Sequence, residues 1–532
     1  MSVHEINFHL LSEAATSEFA ASLAGVIQTG DLVFLSGDMG AGKTALARAL
    51  IQSLNHSNLT VASPTFTLVY PYDDGRVPVL HADLYRLVQP EEVEELGLVE
   101  ALSDYAVLIE WAENGYGYLP DPDIHIRIKL DPNSETARFI QLSWSDTCAA
   151  RLQPLAADYL AKAERQQTSL NFIAVAGWAD ATFTHIAGDA SSRSFSRLGK
   201  ANGDRAILMD WPAGPDGPPI YDGKPYSAKV HLAEAAPDFC AMVEWLHNAG
   251  FSAPDIYASA LDDGLILLED LGNDSLDRLA KDPKVGAHSL ASMYLEAVEL
   301  LTQLHECPVA PHLLAQHKTY DGEVLATEAS LFLDWYVPAE NIPLDAEARQ
   351  SFIGLWHELA AQHLNLDQVT VLRDFHSPNI LWLPKRQCAA RIGLIDVQDA
   401  VAGSPAYDLV SLLQDARIDV DVATQSHWLN HYCQRRFGVD RRKQDQFLTE
   451  YAILGVQRNL KIAGIFHRLA VRDGKPQYRV HLPRIEAYLA QGLRHPALAP
   501  LVQWFQTHNM NLDWLQNVAP RHSISTASQD EL

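Results

Sequence analysis

Basic residues are scarce in this chain of 532 residues: 40 lysines and arginines stand against 67 acids, for a net charge of −27. The acid excess runs through the first 155 residues and through the remainder. Such a surface repels phosphate backbones and forgoes counterion release, which argues against a bare nucleic-acid binder. Any RNA connection would run through a protein partner. Cysteine is equally sparse. Cys148, Cys240, Cys307, Cys388 and Cys433 are dispersed, with no C-x-x-C pair, so neither a metal ribbon nor a disulfide framework is expected. No apolar stretch reaches the roughly 18 residues needed to span a bilayer. Met1 to Glu5 lacks the basic start and apolar core of a signal peptide. Without such a leader, the closing Gln529-Asp530-Glu531-Leu532 reads as a frayed polar tail rather than a retrieval tag. The expectation is a cytoplasmic protein that stays off the membrane.

Apolar residues are plentiful, at 47%, and the length calls for two or three domains. Gly37-Asp38-Met39-Gly40-Ala41-Gly42-Lys43-Thr44 is a complete G-x-x-x-x-G-K-T loop. It follows the strand-like run Asp31–Ser36 and precedes a breaker-free, Ala- and Leu-rich stretch to Leu54, so a helix is expected to begin at the lysine. Strand, glycine turn and helix in that order aim backbone N–H groups and a helix N-terminus at a phosphate chain. Lys43 would reach the terminal phosphates, and Thr44 would give its hydroxyl to magnesium. Further along, Asp83 closes the apolar run from Val77 and Glu110 closes Val107-Leu108-Ile109. Acids at the ends of parallel strands beside such a loop can hold magnesium or orient a water. Ile124–Leu130 alternates apolar and polar residues, and Arg138–Trp144 follows a turn cluster, so these two are expected to pair as a hairpin.

Residues 5–145 resemble the TsaE family, the bacterial ATPases of threonylcarbamoyladenosine synthesis on tRNA. The blocks that carry the likeness are the phosphate loop, Ser63-Pro64-Thr65-Phe66, Asp83-Leu84-Tyr85-Arg86 and Glu110-Trp111. The resemblance implies that Gly37 to Thr44 bind the nucleotide, that Thr65 lies in a nucleotide-sensing loop, that Asp83 supports the metal and that Glu110 assists hydrolysis. It also implies partners, the TsaB- and TsaD-like proteins that transfer the threonylcarbamoyl group.

A second signature begins more than three hundred residues later. Asp374 is followed five residues on by Asn379, then by the apolar run Ile380–Leu383, then by a strand ending at Asp396. That spacing suits a kinase: Asp374 would accept the substrate hydroxyl proton, while Asn379 and Asp396 would hold magnesium. His376 is read as orienting this loop rather than carrying the proton. Leu267–Leu271 has the look of a segment joining two lobes, and the backbone at Glu269 and Leu271 would meet adenine.

These blocks, with Gly188–Arg193 and Pro405–Leu409, resemble the aminoglycoside phosphotransferase superfamily and, closer still, the bacterial anomeric kinases of N-acetylmuramate and N-acetylglucosamine. The resemblance implies ATP and Mg2+ as cofactors and an amino sugar as acceptor. An aminoglycoside, choline or another small alcohol stays open as the acceptor, as does a regulatory nucleotide switch in the N-terminal part. One departure stands out. The strand Ile207-Leu208-Met209-Asp210 carries no lysine where kinases usually place one. Either another base, such as Lys229, Arg193 or Lys200, steadies the phosphates or that role is weakened, and Asp189-Ala190-Ser191-Ser192-Arg193 replaces the glycine-rich cover loop, with Ser191, Ser192 and Arg193 as candidate phosphate ligands.

The expected architecture is α/β: a P-loop NTPase domain at 1–155, a linker at 156–168 in which a helix from Asp146 to about Gln167 runs into the short polar link Arg165-Gln166-Gln167-Thr168, a bilobal protein-kinase-like (α+β) phosphotransferase domain at 169–515, and a polar tail at 516–532.

Overall fold

A computed structural model describes residues 3–55, 59–132, 134–186, 193–212, 219–221, 223–510 and 512–518. The chain divides into two compact units, Met1–Asn171 and Phe172–Leu532.

The first unit is built on a seven-stranded sheet. Its strands are β1 (Val3–Leu10), β2 (Leu32–Ser36), β3 (Val69–Tyr72), β4 (Val79–Asp83), β5 (Ala106–Glu110), β6 (Ile124–Asp131) and β7 (Ser134–Ser145). They lie in the order β1-β7-β6-β2-β5-β4-β3. The central strands β6, β2, β5 and β4 run parallel, and β6 and β7 form the expected antiparallel hairpin. Helix α1 (Glu13–Val26) starts where the Ser12 hydroxyl accepts the Ala15 N–H at 3.1 Å. Helix α2 (Lys43–Leu54) starts at the lysine and buries Leu46, Leu50 and Ile51, one helical face, against the sheet. Parallel strands bury both faces, which is why β5 reads as an unbroken apolar run. Their common direction brings the phosphate loop, Asp83 and Glu110 to one sheet edge.

Helix α3 (Ala149–Val175) occupies the stretch where a helix was expected to about Gln167 and continues through the polar residues 165–168 without a break. Nothing after Pro154 in that stretch breaks a helix, and Asp158 and Lys162 pair one turn apart at 2.8 Å. Leu152, Ala156 and Tyr159 seat it on the first unit's core.

The second unit opens with a five-stranded antiparallel sheet, in the order 256–260, 265–269, 205–210, 194–199, 182–186. The turn at Asn202-Gly203 joins two of these strands as a hairpin. A larger helical lobe follows. Its spine is Arg441–Val471, whose start is capped by Asp440 accepting the Lys443 N–H at 3.1 Å. Two short hairpin-like pairings, 380–382 with 392–394 and 369–371 with 401–403, carry the acidic loop between the lobes. The fold continues past the expected start of the tail: Asp513–Val518 is a helical turn in which Trp514 donates to the Tyr336 hydroxyl at 3.1 Å. The tail from 519 onward lies outside the described residues.

Candidate functional sites

The glycines of the phosphate loop are required by shape. Gly37 has φ +147°, and a Cβ there would sit 2.2 Å from the Ile128 carbonyl oxygen; Gly42, at φ +109°, opens helix α2. Arg138 on β7 braces the loop by donating from Nε to the Ala41 carbonyl at 2.7 Å. Lys43 Nζ donates to the carbonyls of Gly37 and Asp38 at 2.6 and 3.0 Å and lies 3.6 Å above the Trp111 ring. Trp111 reaches that position from a left-handed backbone at φ +59°. Burial lowers the Lys43 pKa, against the opposing charges of Glu110, Glu113, Asp83 and Asp38.

The acids close the same cleft, of about 290 Å³. Glu110 accepts the Thr44 hydroxyl at 2.8 Å through Oε2, while its Oε1 lies 3.0 Å from Nε2 of the buried His81. Asp83 accepts the hydroxyls of Thr65 and Ser63 at 2.7 and 3.1 Å and the Tyr85 N–H at 3.0 Å. The structure therefore brings Met39, Gly40, Gly42, Lys43, Thr44, Thr65, Asp83 and Glu110 around one cavity. Gly37, Asp38 and Ala41 form the back of the loop. Sequence reasoning gave His81, Trp111 and Arg138 no role, because nothing local marks a residue that acts through a strand neighbour.

In the second unit, Asn379 Nδ2 donates to the Asp374 carbonyl at 3.1 Å and lies 3.4 Å from Asp396 Oδ2. The three residues expected to form a kinase site do meet. Arg373 and Asp396 both hold left-handed backbones, at φ +63° and +61°, a strain kept only where surrounding bonds over-determine it. Those bonds are visible. The buried Asp408 accepts the N–H groups of Leu372 and Arg373 at 2.9 and 3.0 Å, and Asp415 accepts the Ser377 N–H at 2.8 Å. Arg373 Nη1 donates to the Val230 carbonyl at 2.8 Å, and Nη2 meets the buried Glu328. Burial would raise the Asp374 pKa, but the charges of His376, Lys461, Arg373 and Arg458 outweigh it and hold the carboxyl below its ordinary value. Burial lowers the His376 pKa, against the raising charges of Asp374 and Asp415.

Of the three bases weighed for the missing strand lysine, Arg193 is the one at the site, with Nη1 2.6 Å from Asp396 Oδ1. Lys229 pairs with Glu323 at 2.9 Å, and Lys200 lies over the Trp178 ring. Ser191 and Ser192 lie outside the described residues. Glu269 ends its strand with its carboxylate 2.6 Å from Arg386, and its N–H goes to the Asp255 carbonyl at 2.8 Å. Leu271 follows in the connection to the helical lobe.

A glycine loop on a parallel sheet and, separately, an Asp–Asn–Asp loop beneath an antiparallel sheet define two classes: a P-loop nucleotide-binding domain and a bilobal phosphotransferase. Residues 10–140 match the family model of the threonylcarbamoyl adenosine biosynthesis protein TsaE, and residues 182–444 match that of the phosphotransferase enzyme family. An N-acetylmuramate/N-acetylglucosamine kinase of Caulobacter vibrioides is 35% identical over 65% of this chain and 97% of its own length. Its counterpart in Pseudomonas putida is 30% identical over 60% of this chain and 86% of its own. The tRNA threonylcarbamoyladenosine biosynthesis protein TsaE of Rickettsia bellii is 43% identical over 23% of this chain and 84% of its own. The chain belongs to both families, as a fusion of a TsaE domain with a kinase of the N-acetylmuramate/N-acetylglucosamine type.

Proposed function

We propose that the second unit transfers the γ-phosphoryl group of ATP to an amino-sugar hydroxyl, the anomeric one of N-acetylmuramate or N-acetylglucosamine. The observation that carries this reading is the meeting of Asp374, Asn379 and Asp396 on one loop–hairpin–loop unit. Asp374, kept ionised, accepts the hydroxyl proton as the sugar oxygen bonds to the γ-phosphorus; the bond to the bridging oxygen breaks, and ADP departs. Arg193, paired with Asp396, is a cation placed to steady the phosphates. The backbone of Glu269–Leu271 would hold adenine. Asn379 and Asp396 form an all-oxygen donor pair with a single carboxylate, which fits a magnesium ion that keeps waters and takes phosphate oxygens. Such an ion, when bound, neutralises charge on the transferring group.

The first unit, on this reading, hydrolyses ATP within the machinery that makes threonylcarbamoyladenosine on tRNA, working with TsaB- and TsaD-like proteins. Thr44 and Asp83 would hold a magnesium ion there, and Glu110, which accepts the Thr44 hydroxyl, would orient the attacking water. The acidic surface supports a role exerted through proteins rather than through RNA contact.

ATP consumption against a panel of amino sugars, aminoglycosides and choline tests the kinase reading. The amino sugars are expected to stimulate turnover, and Asp374→Asn is expected to cut kcat by roughly 10²- to 10⁴-fold. Stimulation by aminoglycosides or choline alone would replace the acceptor. Lys43→Ala is expected to abolish nucleotide binding in the first unit while sugar phosphorylation continues; unchanged affinity would remove the phosphate-loop assignment.

A further inference from the structure

The helix Arg441–Val471 presents Arg458, Lys461 and Arg468 at spacings that place all three toward one face. Lys461 is engaged, with Nζ 2.7 Å from Glu328 Oε1, and Glu328 also binds Arg373. Arg458 is not. It is 5% exposed, its Nη1 is buried with no hydrogen-bond partner, and among the described residues no carboxylate closes on it as an ion pair. Its helix borders the loop of the proposed general base: the adjacent Asn459 donates to Gln414 at 2.7 Å, the next residue, Asp415, accepts the Ser377 N–H, and Glu328 ties Lys461 to Arg373, the neighbour of Asp374. The other groups around it are already satisfied. Asp415 holds Ser377 and the Arg417 N–H, and the Tyr451 hydroxyl takes Gln414 at 3.3 Å.

A buried guanidinium without a partner is costly and calls for an anion that arrives with the ligand. The two acceptors in the names of the relatives differ by such a group: N-acetylmuramate is N-acetylglucosamine with a lactyl ether, and therefore a carboxylate, on the same ring. We propose that Arg458 receives the carboxylate of the acidic acceptor while the ring hydroxyl meets Asp374, and so sets the preference for the acidic over the neutral amino sugar. This rests on the sugar-kinase reading above. A carboxylate–guanidinium pair is bidentate and directional, so it orients the ring as well as holding it.

The test is the ratio of kcat/KM for N-acetylmuramate to that for N-acetylglucosamine in the full chain and in Arg458→Met and Arg458→Lys. The methionine is expected to lower the ratio about 10- to 100-fold, carried by KM for the acidic sugar, and the lysine to recover part of it. An arginine that only tunes Asp374 would depress both acceptors together and leave the ratio where it was, which would overturn the inference. If the methionine variant does not fold, the lysine variant decides: an unmoved ratio there is equally fatal. Wild-type protein that turns over neither sugar overturns the sugar reading and this inference with it. Turnover of both with an unmoved ratio overturns the inference alone.

Discussion

Arg373 and Lys461 converge on one carboxylate, Glu328, which is fully buried and also takes the Tyr320 hydroxyl. Burial pushes the Glu328 pKa up, yet the two cations overcome it and hold the group at about 2, below the ordinary 4.5. A folded value below the unfolded one means that the unfolded chain takes up the proton first as pH falls. The stabilisation is therefore complete above pH 4.5 and is lost as pH drops toward 2. Glu328→Gln leaves two cations facing each other and is expected to cost about 3–5 kcal/mol at pH 7. Chemical denaturation of wild type and variant across pH would show the gap narrowing below pH 4.5; a constant gap would mean that Glu328 is not the titrating partner. None of this could be read along the chain. Glu328 lies 45 residues before Arg373 and 133 before Lys461, and a lone glutamate in an apolar helix carries no local mark of its partners. Asp374, Asn379 and Asp396 were legible because their chemistry is compressed into one loop and one hairpin. Lys43 and Thr44 were legible for the same reason.

At the level of elements, the helix Arg441–Val471 can hold Arg458 and Lys461 beside the catalytic loop because it approaches Leu331 and Phe332 closely at Gly464. A Cβ on Gly464 would lie 2.3 Å from the Leu331 carbonyl oxygen and 2.8 Å from the Phe332 nitrogen. Alanine in a helix interior ordinarily stabilises by about 0.5–1 kcal/mol. Here the contact is with backbone, which cannot rotate away, and overpacking of about 1–3 kcal/mol prevails. Gly464→Ala is expected to lower the unfolding midpoint of the second unit and to slow sugar-dependent turnover, with Lys43-dependent ATP hydrolysis unmoved. A stabilised variant would show that the helices separate at little cost. Helix α3 illustrates the opposite limit of sequence reading. Its polar residues Arg165 to Thr168 suit a solvated helix face as well as a link, and composition alone cannot separate the two.

For the whole molecule, each buried apolar cluster draws its residues from one unit only. Two lie on either side of the seven-stranded sheet, and the other two lie beyond Asn171. Cooperativity in folding comes from a shared core, so two units with separate cores should unfold in separate steps. The division falls inside helix α3, whose buried face changes allegiance from Tyr159, in the first core, to Ile173, in a cluster with Leu198 and Leu267. A cut between Asn171 and Phe172 therefore breaks helical backbone bonds and divides none of these apolar clusters. The fragments 1–171 and 172–532 are expected to fold when expressed apart. The first should keep Lys43-dependent nucleotide binding, and the second should keep Asp374-dependent sugar phosphorylation at wild-type kcat within about a factor of two. Calorimetry of the intact chain should resolve two transitions that match the fragments one for one. A single transition, or a 172–532 fragment that binds ATP but has lost turnover, would mean that the first unit contributes to the kinase site and that the fusion is more than a tether.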